Sequence, residues 1–410
     1  MTTANAPSDM PGFECIVVGG GPTGLAAAAG IRRAGLTVAL IDEPPAAADV
    51  QSLKTAALFP PSVALLRGLG AWPRIASEAE PMTGLRLADD TGGLLRAPEV
   101  LFKATEIGLE ALAHNVPNAA ISRGLNEIAV AEGVVMPGAG RAISVSCGAT
   151  GCTVTCADGR VLTSSFVVGS DGRASPTRAA AGIPTETWAY DQSALIAVFA
   201  HSRPHHGIST ELHGPAGPCT TVPLAGRRSS LVWVDRPHRV AELMRLDDRA
   251  FSLALRERLA GLLGDVVASG ARRWFPMAGL MAERMAKGRV ALVGEAGHAL
   301  PPIGAQGLNL GLADAAVLAD AISKWVQDGR RQPIETVLAG YARRRDDDIR
   351  RRAGAVDVLN RSLEGGNPVA RLVRGAGLHV LAALPGARKL LMSRGLEPPD
   401  PVPELMSRIA

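Results

Sequence analysis

The sequence predicts an α/β fold in which a nucleotide-type β-α-β domain is interrupted by an antiparallel-sheet domain and followed by a helical C-terminal segment. Three observations predict it. An apolar run at 13–18 ends in Gly19-Gly20-Gly21-Pro22-Thr23-Gly24, an alanine-rich helical stretch continues to Arg33, and a second apolar run from Thr37 to Ile41 ends at Asp42; this is a β-α-β unit. Between about Tyr190 and Trp274 the texture changes to short alternating segments such as Ser230-Leu231-Val232-Trp233-Val234, separated by Pro and Gly clusters, as antiparallel strands require. Another buried strand at 289–294 then precedes a long apolar-periodic helix that Gly307 opens and that runs to about Val326.

The expected boundaries follow: 12–185 as the first part of the nucleotide domain, 186–274 as the sheet domain, 275–345 as the return segment, and 346–410 as the helical end. A chain of 410 residues with 47% apolar and 20% charged residues can bury a core of that size. Residues 343–352 read Arg-Arg-Arg-Asp-Asp-Asp-Ile-Arg-Arg-Arg. Arg343 with Asp347, Arg344 with Asp348 and Asp346 with Arg350 are each four apart, which predicts a solvated helix face laced with ion pairs.

Charge and cysteine content narrow the function. The net charge is +4, and from 365 to 396 five basic residues (Arg371, Arg374, Arg388, Lys389, Arg394) occur without an acidic one. Val369, Leu372, Val373 and Ala376 fall at helical spacing among them, so the segment reads either as a basic helix packed on the main body or as a contact with an anionic membrane surface. Aromatics are only 3% of the chain, and no basic patch is interleaved with them, so nucleic acid is not an expected partner. Met1 to Pro11 lacks the pattern of a secretory signal and no apolar run approaches membrane-spanning length, which gives an expected cytoplasmic location. Five scattered cysteines argue against a disulfide framework. Cys147, Cys152 and Cys156 cluster, but without neighbouring histidine or zinc-type spacing, so no metal site is expected there.

Gly19, Gly21 and Gly24 form G-x-G-x-x-G between strand and helix, where absent side chains let a pyrophosphate approach the backbone and the helix N-terminus. Asp42 stands 23 residues after Gly19 at the end of the second strand, placed to accept hydrogen bonds from two ribose hydroxyls. With Glu43 beside it, a 2′-phosphate would be repelled; FAD or NAD fits and NADP fits poorly. Pro301-Pro302-Ile303-Gly304-Ala305-Gln306-Gly307-Leu308-Asn309 is a turn into a helix whose free N–H groups could stabilise a developing negative charge.

Two further segments carry a family resemblance. Phe166-Val167-Val168-Gly169-Ser170-Asp171-Gly172, with Ser175 and Arg178 downstream, and Arg289 through His298 (Arg-Val-Ala-Leu-Val-Gly-Glu-Ala-Gly-His) resemble the later motifs of the para-hydroxybenzoate-hydroxylase-like flavoprotein monooxygenases. The resemblance implies a Rossmann-like FAD-binding domain, with Asp171 and Gly172 serving the FAD diphosphate and nicotinamide entry. Glu295, where relatives usually have aspartate, would serve the ribityl or pyrophosphate region. It also implies that Gly307, Leu308 and Asn309 present backbone to the flavin edge and that Pro302 lies between flavin and substrate. Lys54 stands where relatives commonly carry arginine, keeping the charge without the planar fork. His298 is a candidate for catalysis, set against the commoner role of a hydrogen-bonded buried histidine.

Within that superfamily the chain is similar to the ubiquinone-biosynthesis ring hydroxylases along nearly its whole length, for example in Leu58-Phe59-Pro60-Pro61-Ser62, Pro302 to Leu312, and Tyr341-Ala342-Arg343-Arg344-Arg345. The resemblance implies an FAD-dependent monooxygenase that uses NAD(P)H and O2, through a flavin C4a-hydroperoxide, to hydroxylate a polyprenylated phenol. A membrane-surface contact through 365–396 and a quinone-synthesis complex are the expected partners. Two other readings share the flavin motifs: a hydroxylase of a soluble or secondary-metabolite phenol, and a non-catalytic FAD-binding component of such a complex. The isolated tryptophans argue against a flavin halogenase, and the lack of an early cysteine pair against a disulfide reductase.

Overall fold

Strand β1 (Phe13–Val18) is buried along most of its length because it lies inside the parallel part of a seven-stranded sheet, where both faces are covered and the sequence runs apolar. It pairs in parallel with β2 (Val38–Ile41) on one side and with the strand Val161–Gly169 on the other. Helix α1 (Pro22–Arg33) makes the crossover, with Pro at its first turn and a buried alanine face. Val290–Leu292 pairs in parallel with Val161–Gly169, so the chain does return to the nucleotide sheet after a long excursion. The structure, a computed structural model, describes residues 12–42, 54–90, 97–363 and 368–407, and for 362–363 and 368–374 the backbone only. Glu43 and the side chains of Val369, Arg371, Leu372, Val373 and Arg374 therefore lie outside the described residues.

The excursion builds a nine-stranded sheet. Its principal strands are β3 (Gly84–Asp89), β4 (Thr185–His201), β5 (Ile208–His213), β6 (Pro218–Leu224), β7 (Arg228–Asp235) and β8 (Arg273–Ala282). Their order is β8-β4-β7-β6-β5-β3, antiparallel except for the parallel β5–β3 pair. That pair departs from the sequence-based division, which left residues 84–103 in the nucleotide domain. On one face Leu195, Phe199, Leu231 and Trp233 pack against the helices Pro237–Arg245 and Asp248–Arg258. On the other, Ala194, Val232, Val234 and Met277 cluster with Leu300, Ile303 and Leu310. Each fully buried aliphatic side chain contributes about 1.5–3 kcal/mol, so the second cluster fixes the sheet firmly against the segment that begins α2 (Gln306–Gln327).

Helix α3 (Ile334–Leu363) lies along α2, and this corrects the expectation for 343–352. Tyr341, Ala342, Arg345 and Ile349 face inward. Arg345 is fully buried and binds Asp314 and Asp348, both at 2.7 Å. Asp348 also takes Arg351 at 2.8 Å and Arg352 at 3.0 Å. Among the described residues the pairs Arg343–Asp347, Arg344–Asp348 and Asp346–Arg350 do not form; Arg344 turns to Asp320, Asp346 accepts from the Met285 N–H, and Arg350 reaches the Glu283 carbonyl.

The cysteine expectation is corrected as well. The strands Ala142–Cys147 and Cys152–Cys156 form a hairpin that brings Cys147 and Cys152 into register, and the two are joined by a disulfide. Helices α4 (Pro368–Ala383) and α5 (Pro385–Gly395) close the molecule, seating Leu378 and Met392 on Val100 and Phe102.

Candidate active site

The glycine loop is shaped by contacts that leave no room for side chains. Gly19 has φ +105°, and a Cβ there would strike the Ser170 carbonyl; one on Gly24 would strike the Gly19 carbonyl; one on Gly20 would strike the Asp42 carboxylate. Asp42 therefore lies directly over the loop. Around Gly21, by contrast, an added Cβ meets nothing within 4 Å among the described residues, and none of their side chains caps the α1 N-terminus. An open, glycine-lined cradle at an uncapped helix N-terminus, with a carboxylate beside it, is what a dinucleotide pyrophosphate and its ribose require.

The later motifs converge on the same place. Ser170 closes against Gly19 and Gly24. Asp171 turns its carboxylate to the Ser175 hydroxyl and to the Thr177 N–H at 2.9 Å, while a Cβ on Gly172, at φ +79°, would meet nothing within 4 Å among the described residues. Arg178 binds the carbonyls of Ala296 and Arg173 at 2.7 and 2.8 Å, tying the second motif to the third. Thr23 wedges between Gly294 and Gly311, where a Cβ on Gly311 would come within 2.6 Å of its hydroxyl. Glu295 is exposed and 3.5 Å from Arg173. Ser170, Thr23 and Arg173 were not singled out in the sequence as site residues, because each acts by shape or by a contact distant in sequence.

The α2 entry is positioned by Asn309. Its side chain accepts from the Phe59 N–H at 2.9 Å and the Ser62 hydroxyl at 2.7 Å, and donates to the carbonyls of Ala57 and Ala305 at 2.8 and 2.7 Å. With its side chain so committed to the protein, Asn309 serves to fix the start of α2. Pro302 is exposed, next to Ile303 in the apolar cluster. Ala305, the residue before α2, adopts a left-handed conformation at φ +52°, ψ 27°. An alanine there is strained by about 1–2 kcal/mol, so Ala305→Gly is expected to raise stability by roughly 0.5–1 kcal/mol after its greater unfolded-state entropy is allowed for. Thermal unfolding of the two proteins would check it. Lys54 sits exposed at the start of the strand Thr55–Leu58, and its carbonyl accepts from the Asn118 N–H at 3.0 Å.

His298 is almost wholly buried. Its Nε2 lies 2.6 Å from Asp314, which also accepts from the Gly294 N–H at 2.9 Å and from Arg345 at 2.7 Å. Burial alone would raise the Asp314 pKa, but His298 and Arg345 hold it below the ordinary carboxylate value. This network joins the third motif to α2 and α3, which is the geometry of a structural post.

Residues 13–351 match the FAD binding domain family. The chain belongs to that family. It is 31% identical to the 3-demethoxyubiquinol 3-hydroxylase of Escherichia coli over 375 residues, covering 89% of this chain and 93% of that one. It is 30% identical to the ubiquinone hydroxylase UbiL of Rhodospirillum rubrum over 388 residues, 93% and 89% of the two chains. Similar solved structures include p-nitrophenol 4-monooxygenase PnpA of Pseudomonas putida, with a TM-score of 0.76 at 19% identity over 94% of this chain and 99% of that one. PqsL of Pseudomonas aeruginosa, solved with 2-aminobenzoylacetate, gives 0.75 at 24% over 90% and 99%. These two show the fold. As a member of the family, the flavoprotein binds FAD and is an FAD-dependent monooxygenase of the aromatic-hydroxylase type.

Proposed function

We propose that this flavoprotein hydroxylates the ring of a polyprenylated phenol in ubiquinone biosynthesis, with NAD(P)H as reductant and O2 as co-substrate. What carries the reading is the extent of the likeness to relatives named ubiquinone and demethoxyubiquinol hydroxylases, at 30–31% identity over about nine-tenths of each chain. Bound FAD supplies the oxygen activation. Gly19, Gly21 and Gly24 hold its pyrophosphate at the α1 N-terminus, and Asp42 accepts from the adenosine ribose. Asp171, Gly172, Glu295 and Lys54 line the approach to the diphosphate and ribityl chain. The first-turn N–H groups of α2, at Gly307, Leu308 and Asn309, face the flavin ring and favour negative charge on it. Pro302 and the apolar wall of Val232, Val234 and Ile303 keep the substrate ring in place and exclude water.

The prenyl tail and the membrane share one explanation. Val380, Leu384, Leu390 and Leu391 of the α4–α5 region are exposed beside Lys389, a pairing of apolar and basic groups suited to an anionic bilayer surface. Among the described residues no helix is long and apolar enough to cross a membrane.

The test is turnover of the purified FAD-loaded protein with NADH or NADPH, a short-chain prenylated phenol and 18O2. The reading predicts phenol-dependent oxidation of the nicotinamide and one 18O atom in the product. Turnover only with unprenylated phenols would move the substrate to a soluble aromatic, and no turnover with any phenol would leave a binding component.

A further inference from the structure

The sheet face turned toward α2 is apolar along β4 and β7, but on β5 it carries a buried acid and a buried histidine. Leu212 packs on the opposite face with Leu231 and Trp233, so its neighbours Glu211 and His213 project toward the α2 side. In register Glu211 lies opposite Thr220, and Thr220 opposite Val232. Adjacent strands are about 4.8 Å apart, which puts Glu211 two strand spacings, roughly 10 Å along the sheet, from Val232, which packs against the cluster that holds Ile303 and Leu310. His213 Nε2 is 2.7 Å from Glu211 Oε1, and the Thr220 hydroxyl donates to Oε2 at 3.5 Å. Glu211 is 8% and His213 3% exposed, and His213 Nδ1 has no partner among the described residues.

This pair has little structural value to offset its desolvation. The Asp314 network joins three elements, whereas Glu211 and His213 belong to one strand and, among the described residues, tie nothing together beyond the long Thr220 contact. Burying two ionisable groups costs several kcal/mol per ion, and the nearest charged groups along the sheet are already engaged. Asp89, paired with His213 in register, accepts from the Ala97 N–H at 3.2 Å, and Arg258 binds Asp90 and the Leu212 carbonyl. A buried, unneeded dyad beside the apolar wall of a substrate site is where proton chemistry is expected.

We propose that Glu211 takes the proton of the substrate's ring hydroxyl, with His213 holding its other carboxylate oxygen in place. The inference rests on the hydroxylase reading above. In the step, the phenolic O–H bond breaks and a new O–H bond forms at Glu211 Oε2. The electron pair stays on the ring oxygen and raises the nucleophilicity of the ring carbon that is oxygenated. When the hydroxylated ring regains aromaticity its C–H bond breaks, the proton passes to solvent water and the electron pair returns through the ring to the original oxygen, which takes back the proton held on Glu211 and so restores the carboxylate.

The experiment compares the wild-type holoenzyme with Glu211→Gln and His213→Asn, using 2-geranylphenol and a difluorinated analogue whose hydroxyl ionises near neutral pH without a base. Glu211→Gln is expected to lower kcat for 2-geranylphenol by about 100-fold, within the usual range for a general base, with FAD content and KM little changed. The fluorinated phenol should restore most of that loss, which no merely structural defect would allow. His213→Asn should show a smaller loss with the same rescue. An unchanged kcat in Glu211→Gln, or an equal loss with both phenols, would overturn the assignment while leaving the hydroxylase reading intact. Absence of phenol-dependent turnover in the wild type would overturn both.

Discussion

Replacing Asp314 by alanine is expected to destabilise the protein by about 3–5 kcal/mol, the usual result of removing one partner from a buried ion pair. Arg345 would keep Asp348 as its sole remaining carboxylate partner among the described residues, while His298 Nε2 and the Gly294 N–H would lose their acceptor. Because Gly294 opens the third flavin motif, the loss should appear as both a lower unfolding midpoint and faster release of FAD. Acid should act on the same network. Asp314 and Asp348 both have depressed folded pKa values; Asp348 is pulled down to about 2 by Arg345 and Arg352 in spite of its burial. Their stabilisation is therefore fully present above the unfolded carboxylate value of about 3.9 and is lost as pH falls through the folded values. Melting temperature should drop steeply between roughly pH 4 and 2, and Asp348→Asn should show a shallower drop from a lower starting point. An Asp314→Ala protein of wild-type stability would remove the network from the account of the fold.

The second large effect is expected at the glycine loop, where two neighbouring glycines serve different purposes. At Gly24 an added Cβ collides with the Gly19 carbonyl and comes within 3.0 Å of the Ser170 hydroxyl, so Gly24→Ala must push α1 away from the loop. The variant should purify without FAD and with a lowered unfolding midpoint. At Gly21 the described residues leave open space, so Gly21→Ala should fold normally while crowding the ligand; a loss of about 100-fold in FAD affinity corresponds to roughly 2.8 kcal/mol. Flavin content by absorbance and unfolding of the apoproteins separate the two cases. If Gly21→Ala retained FAD with unchanged affinity, the pyrophosphate would have to lie elsewhere.

The parts of the fold that rest on local periodicity were legible in the chain. The stretch 13–41 shows strand, glycine turn, helix and strand within thirty residues, and each boundary fell within a residue or two of the element found. The helix expected from Gly307 to about Val326 runs from Gln306 to Gln327. What local pattern could not show was direction. Arg345 looked like its neighbours in a run of charge, and only the packing of α3 on α2 turns it inward to Asp314. That strand β3 belongs to the inserted sheet was not legible because the partner that joins it there, β5, lies more than a hundred residues away. The glycine motif and Asp42 were readable because their spacing encodes a shape, whereas Ser170 and Thr23 complete that shape from other segments. Glu211 and His213 carry no motif at all; alternation along β5 and the register with β6 and β7 bring them to the α2 side of the sheet.

The substrate claim is tested most directly by quinone extraction from cells that lack this protein and have no second hydroxylase to compensate, with mass analysis of what accumulates. The account predicts loss of ubiquinone and accumulation of a polyprenylated phenol short of one hydroxyl, restored by the wild-type chain and not by Gly24→Ala. Normal ubiquinone in those cells would contradict it and leave a flavin hydroxylase of another phenol.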